Sequence, residues 1–111
     1  MGTIIHNALL ITTDGEGVFA EVVGEAMRLG LEVMDQPEWG INGTRSVLIP
    51  TSGSKEGWEP AEDHKERIKQ LKHWLRVSPA TRNSADGCYE WLHLNYGETE
   101  DGPVIIDHGI R

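Results

Sequence analysis

The sequence predicts a two-layer α+β sandwich: a ferredoxin-like βαββαβ order with an additional C-terminal β-strand, in which two helices cover one face of a mainly antiparallel sheet. Three observations point there. Five short stretches are rich in β-branched, aliphatic or alternating residues and are bounded by turn formers. Two longer stretches carry apolar residues at helical spacing, and the two periodicities follow one another as β, α, β, β, α, β, β. At 111 residues the chain accommodates one domain, residues 1–111, with a modest core, and is too short for a two-lobed enzyme with an interdomain cleft.

Residues 3 to 12, TIIHNALLIT, form the first strand. Thr13-Asp14-Gly15-Glu16 then has the spacing of a capping box, and Val18, Phe19, Val22, Val23, Ala26, Met27 and Leu29 recur helically up to Gly30, a C-terminal stop. Residues 31 to 34 predict a short second strand. A loop with Pro37, Trp39, Gly40 and the turn signal Asn42-Gly43 leads to a third strand over 44 to 49, so the pair reads as a loose hairpin. Residues 50 to 58, PTSGSKEGW, are dense in turn formers. Pro60 sits where a first helical turn tolerates it, and Glu62 and Asp63 favour the helix N-terminus. This second helix runs to about residue 77, where Ser78-Pro79 ends it; its apolar face is His64, Ile68, Leu71 and Leu75, with Trp74 at the border. After a polar loop over 80 to 87, residues 88 to 96 alternate, with Cys88, Leu92, Leu94 and Tyr96 on one face and Tyr89, Trp91, His93 and Asn95 on the other. A turn over 98 to 102 leads to a fifth strand over 103 to 107, paired with the fourth.

Asp and Glu number 18 against 10 Lys and Arg, a formal charge of −8. The single cysteine excludes an intramolecular disulfide, the N-terminus lacks signal-peptide features, and no stretch approaches the roughly 18 apolar residues of a membrane span. A soluble cytoplasmic protein with no membrane association is expected. Acidity disfavours binding to a phosphate backbone and suits a basic partner or DNA mimicry. The charge is uneven, with net values of −6 over residues 1–60, +3 over 61–85 and −5 over 86–111. The second helix is thus a basic island, with Lys65, Lys69, Lys72 and Arg76 along one stripe. Its plain reading is a solvated face whose bases complement the helix dipole, with Asp63 placed to pair with Arg67. Its functional reading is a contact for an acidic partner, which Lys55 would join.

Motifs for chemistry are weak. Asp14-Gly15-Glu16-Gly17 lacks the third glycine of a dinucleotide fingerprint and carries two acids that repel a pyrophosphate, and Ser52-Gly53-Ser54-Lys55 lacks the phosphate-loop pattern. The latter loop offers a charge, Lys55, and an aromatic anchor, Trp58, for a partner; in the plainer alternative Trp58 folds under the second helix. A metal site would need His6, His93 and His108 to converge from three strands, and a nucleophile would have to be Cys88 with His93 or His108 as base. A lone cysteine at a strand start is more simply a small hydrophobe. No cofactor, metal or catalytic constellation is expected. The sheet face opposite the helices draws more interest: Tyr89, Trp91 and His93, with His6 beside them, would form an aromatic platform there. On an acidic protein that face suits a protein partner or a homodimer better than nucleic acid, unless the C-terminal segment covers it.

Three stretches carry a wider likeness: His6-Asn7-Ala8-Leu9-Leu10-Ile11-Thr12-Thr13; Asn42-Gly43-Thr44-Arg45-Ser46-Val47-Leu48-Ile49-Pro50 leading into Gly53-Ser54-Lys55-Glu56-Gly57-Trp58; and Trp91-Leu92-His93-Leu94-Asn95-Tyr96-Gly97. In this order they resemble a family of small uncharacterised proteins of tailed bacteriophages and prophages, over most of the chain. The resemblance implies a phage accessory protein in the host cytoplasm and carries over no activity or catalytic residue. The expected function is protein–protein binding without catalysis, with a host factor as partner. The alternatives are an acidic DNA-mimic inhibitor of a host nucleic-acid-binding protein and a small metal- or Cys-dependent hydrolase.

Overall fold

The computed structural model describes residues 3–41, 43–52, 55, 57–77, 88–99 and 102–110. Its elements are β1 (Ile5–Thr13), α1 (Glu16–Arg28), β2 (Met34–Asp35), β3 (Arg45–Ile49), α2 (Glu59–Val77), β4 (Tyr89–Gly97) and β5 (Val104–Ile110). The strands form one sheet in the order β2-β3-β1-β4-β5, every neighbouring pair antiparallel. This is an α+β fold with both helices against one sheet face. The expected Ser78-Pro79 stop and the polar loop over 80 to 87 lie outside the described residues.

Local chemistry accounts for the element ends. The capping box does not form: Thr13 is fully buried at the end of β1 and its hydroxyl donates to the Arg45 carbonyl at 2.9 Å, leaving Gly15 as N-cap without a side-chain bond. At the other end α1 closes in a Schellman motif. Gly30, at φ +76°, donates to the Met27 carbonyl and Leu31 to that of Ala26, at 2.9 and 3.0 Å. That motif drops Leu31 into the core, so the expected second strand over 31 to 34 is reduced to Met34 and Asp35. The hairpin to β3 forms as expected, with Gly43 at φ +81° in its turn. The fifth strand extends to Ile110, three residues beyond the predicted end.

The core lies between the helices and alternate residues of the three central strands. Val18, Phe19, Val22 and Ala26 of α1 and Ile68, Leu71 and Leu75 of α2 pack on Leu9, Ile11, Val47, Ile49, Tyr89 and Trp91. Each fully buried aliphatic side chain contributes roughly 2 kcal/mol. His64 sits on the α2 apolar face as predicted, buried, its Nε2 donating to the Pro50 carbonyl at 3.2 Å.

The alternation of β4 is as predicted, but its faces are reversed. Tyr89, Trp91 and His93 are 1, 2 and 6% exposed and face the helices. The β1 pairing decides this: Thr13, Ile11 and Leu9, all fully buried, stand opposite Tyr89, Trp91 and His93. Trp91 lies across Gly109 of β5, and the Tyr89 hydroxyl donates to the Leu75 carbonyl. Leu92 and Leu94 therefore point away from the helices.

Candidate functional site

The registers assemble the face away from the helices into transverse rows. One row is Met34, Leu48, Leu10, Leu92 and His108, running across all five strands. On one side lies Ser46, Thr12, Glu90 and Ile110; on the other, Ala8, Leu94 and Ile105, followed by His6 and Tyr96. Leu10, Leu48, Leu92 and Leu94 are half-buried, while Met34, Ile105 and Ile110 are 57, 56 and 73% exposed. Among the described residues no helix covers this face. A depression of about 560 Å³, lined by Leu10, Thr12, Glu90, Leu92, His108 and Ile110, lies where β4 and β5 meet. At the other end of the face, away from the depression, the His6 and Tyr96 rings are 4.8 Å apart. The arrangement is an aliphatic surface with one acid, Glu90, beside its depression, and it suits apolar side chains of another molecule.

On the helix side a polar cluster joins α2 to β1, β4 and β5. The Lys72 ammonium donates to His93 Nδ1 at 2.9 Å and lies 3.0 Å from the Asp107 carboxylate, which Arg76 also contacts at 2.5 Å. With Nδ1 accepting, His93 carries its proton on Nε2 and donates it to Asn7 Oδ1 at 2.9 Å; Asn95 donates to the same oxygen at 3.0 Å. Burial first, then the Lys72 charge, push the imidazole down to about 4. Burial alone would raise the Asp107 carboxyl, but hydrogen bonds and charge from Arg76 and Lys72 hold it down at about 2. A neutral imidazole with both nitrogens engaged has neither lone pair nor proton left for a substrate. The cluster ties β5 to α2 and is a structural element.

The residues singled out from the sequence are thus dispersed. Tyr89, Trp91 and His93 are not an exposed platform, because helices cover them. Of the basic stripe, Lys72 and Arg76 are engaged with Asp107, and Lys65 lies 3.6 Å from Glu62; Lys69 is exposed beside Glu25, Trp74 and Val77. Asp63 pairs with Arg67 at 3.0 Å as expected. Lys55 is exposed and bridges Ile4 just before β1, and Trp58, at the entry to α2, is 53% exposed rather than folded beneath it. His6 and His108 lie on the open face and His93 on the other, so the three histidines do not converge; among the described residues no group of His, Cys, Asp and Glu is placed to hold a metal. The Cys88 thiol donates to Asp14 at 3.2 Å, which together with burial raises its pKa. That favours the thiol over the thiolate, the opposite of an activated nucleophile. Sequence reasoning missed Leu10, Leu48, Leu92, Leu94, Ile105 and Ile110 as surface, although the alternation had already placed Leu92 and Leu94 together.

No helix among the described residues is long and apolar enough to cross a membrane. No protein-family model, curated protein or solved structure matches the chain.

Proposed function

We propose that this chain is a non-enzymatic binding domain that docks a protein partner on the open face of its sheet. The observation that carries the proposal is the aliphatic row Met34, Leu48, Leu10 and Leu92, flanked by Leu94, Ile105 and Ile110, on the side away from both helices. At roughly 25 cal/mol per Å² of apolar surface removed from water, a partner that fills the depression and covers the row gains several kcal/mol. Glu90 beside the depression, and the net −5 of residues 86–111, favour a partner whose apolar side chains are flanked by basic groups.

We read the first four strands as a ferredoxin-like βαββαβ unit with β5 added beside β4; the neighbour order β2-β3-β1-β4 and the placement of α1 and α2 support that reading. In the phage setting implied by the three sequence stretches, the partner is a host protein in the host cytoplasm. The alternatives have less support: Glu25, Asp35, Glu62, Asp63 and Asp107 are each within 4 Å of a base of this chain, which works against mimicry, and Cys88 held as a thiol by Asp14 works against a Cys-dependent hydrolase.

The test is capture from host lysate by wild type, by Leu92→Glu on the open face, and by Lys69→Ala on α2 as control, with circular dichroism confirming each fold. Wild type and Lys69→Ala are expected to retain one basic partner in stoichiometric amount, with at least tenfold weaker binding by Leu92→Glu. Equal retention by all three rejects the open face as the site.

A further inference from the structure

Among the described residues the two edges of the sheet differ. β2 presents two residues, too few to template another strand, whereas β5 presents seven, with no Lys, Arg or Pro among them. Ile105, Ile106 and Ile110 of that edge are 56, 51 and 73% exposed. Its one carboxylate, Asp107, is neutralised by Lys72 and Arg76 and accepts from the His108 N–H at 3.0 Å, so a second molecule meets no unpaired acid in the strand, and the pairing shares or replaces that one local bond. The strand is also self-complementary. An antiparallel pairing about a two-fold axis through His108 sets Ile106 opposite Ile110 of the second copy, Asp107 opposite Gly109 and His108 opposite itself. Both isoleucine pairs are then apolar on apolar, and no carboxylate faces another. The register shift between His93 and Leu94 leaves Ile106 without an opposed residue on β4, and this pairing supplies one from the other side.

We infer that β5 pairs with β5 of a second copy, antiparallel about His108, joining two five-stranded sheets into one of ten strands. The two open faces then become one continuous surface with the Leu92 rows on either side of the junction. Edge pairing over only five residues per copy is small beside the roughly 1,000 Å² of a stable interface, so a weak, concentration-dependent dimer is expected. The inference goes beyond the partner reading and does not depend on it.

Sedimentation equilibrium of the full chain without any partner tests it. The expected mass at high concentration is twice the 12.3 kDa of one chain. Ile110→Lys, which places a cation against Ile106 of the second copy, is expected to sediment as a single chain with an unchanged circular dichroism spectrum, while Leu92→Glu remains dimeric. In a Cys88→Ser background, His108→Cys is expected to cross-link to itself under mild oxidation, and Ile105→Cys, far from its own copy in this register, is not. A chain that stays at 12.3 kDa at every concentration overturns the inference. So does a dimer indifferent to Ile110→Lys, or equal cross-linking at positions 105 and 108. Loss of lysate capture by Leu92→Glu with no dimer would leave only the partner reading standing, and a dimer with no capture would leave only this one.

Discussion

Gly109 holds the Trp91 indole in place by lacking a side chain. A Cβ there would sit 2.5 Å from Trp91 Nε1 and 2.7 Å from Cε2, on a ring that Arg76 covers from 4.9 Å. Gly109→Ala is therefore expected to lower stability by about 1 to 3 kcal/mol, read as a lower urea midpoint at unchanged m-value. His93 gives a pH signature. Its folded pKa of about 4 lies below the 6.5 of the open chain, so between those values the unfolded state binds the proton that the folded state refuses. Stability is full above pH 6.5 and falls as pH drops towards 4, by on the order of 1 to 2 kcal/mol once partial solvent screening is allowed for. His93→Gln should flatten most of that slope in urea titrations at pH 7 and pH 5, with a remainder from His64, whose pKa burial also lowers. Asp107 acts lower down, its contribution being lost as pH falls from 3.8 towards 2. Cys88 is held as a thiol by Asp14, so Asp14→Asn should speed its alkylation several-fold at pH 8, measured with an excess of maleimide.

At the scale of elements, β4 separates two environments one residue apart. Trp91 is 2% exposed against the helices, while Leu92 is half-buried on the open face. Trp91→Ala is expected to cost about 3 to 5 kcal/mol and Leu92→Ala about 1 kcal/mol or less, a contrast that chemical denaturation resolves directly. Equal costs would mean that both faces are covered. α2 divides in the same way. Its buried stripe carries Ile68, Leu71 and Leu75, and the far end of its basic stripe turns Lys72 and Arg76 onto β5. Those two bases anchor the edge strand, and only the Lys65 and Lys69 end of the stripe is left to define an outer face.

For the whole molecule, the −8 charge and the engagement of the bases act together. Arg28, Arg45, Lys65, Arg67, Lys72 and Arg76 each lie within 4 Å of an acid of the same chain. Among the described residues little uncompensated positive potential is left to attract phosphates. Fluorescence anisotropy with labelled duplex and single-stranded DNA is expected to show no binding at physiological salt, and saturable binding would contradict this account of the α2 stripe.

The sequence by itself determined the kind and order of the elements, because helix and strand periods are local: the residues that make α1, α2 and β4 recur at their own spacing whatever they pack against. It also determined the Gly30 stop and the Asp63–Arg67 pair, both set by neighbours along one helix. Only the tertiary structure decided which face of β4 is inside. Both of its faces are apolar, one with Tyr89 and Trp91 and the other with Leu92 and Leu94, so alternation separates them without ranking them. The ranking comes from pairing with β1 and from the room beneath α2, which Tyr89 and Trp91 fill with the hydroxyl of Tyr89 donating to Leu75. That same long-range choice moved the candidate surface from the aromatic set to the leucines, and it turned the acidic C-terminal segment into an edge strand whose one carboxylate is neutralised from α2.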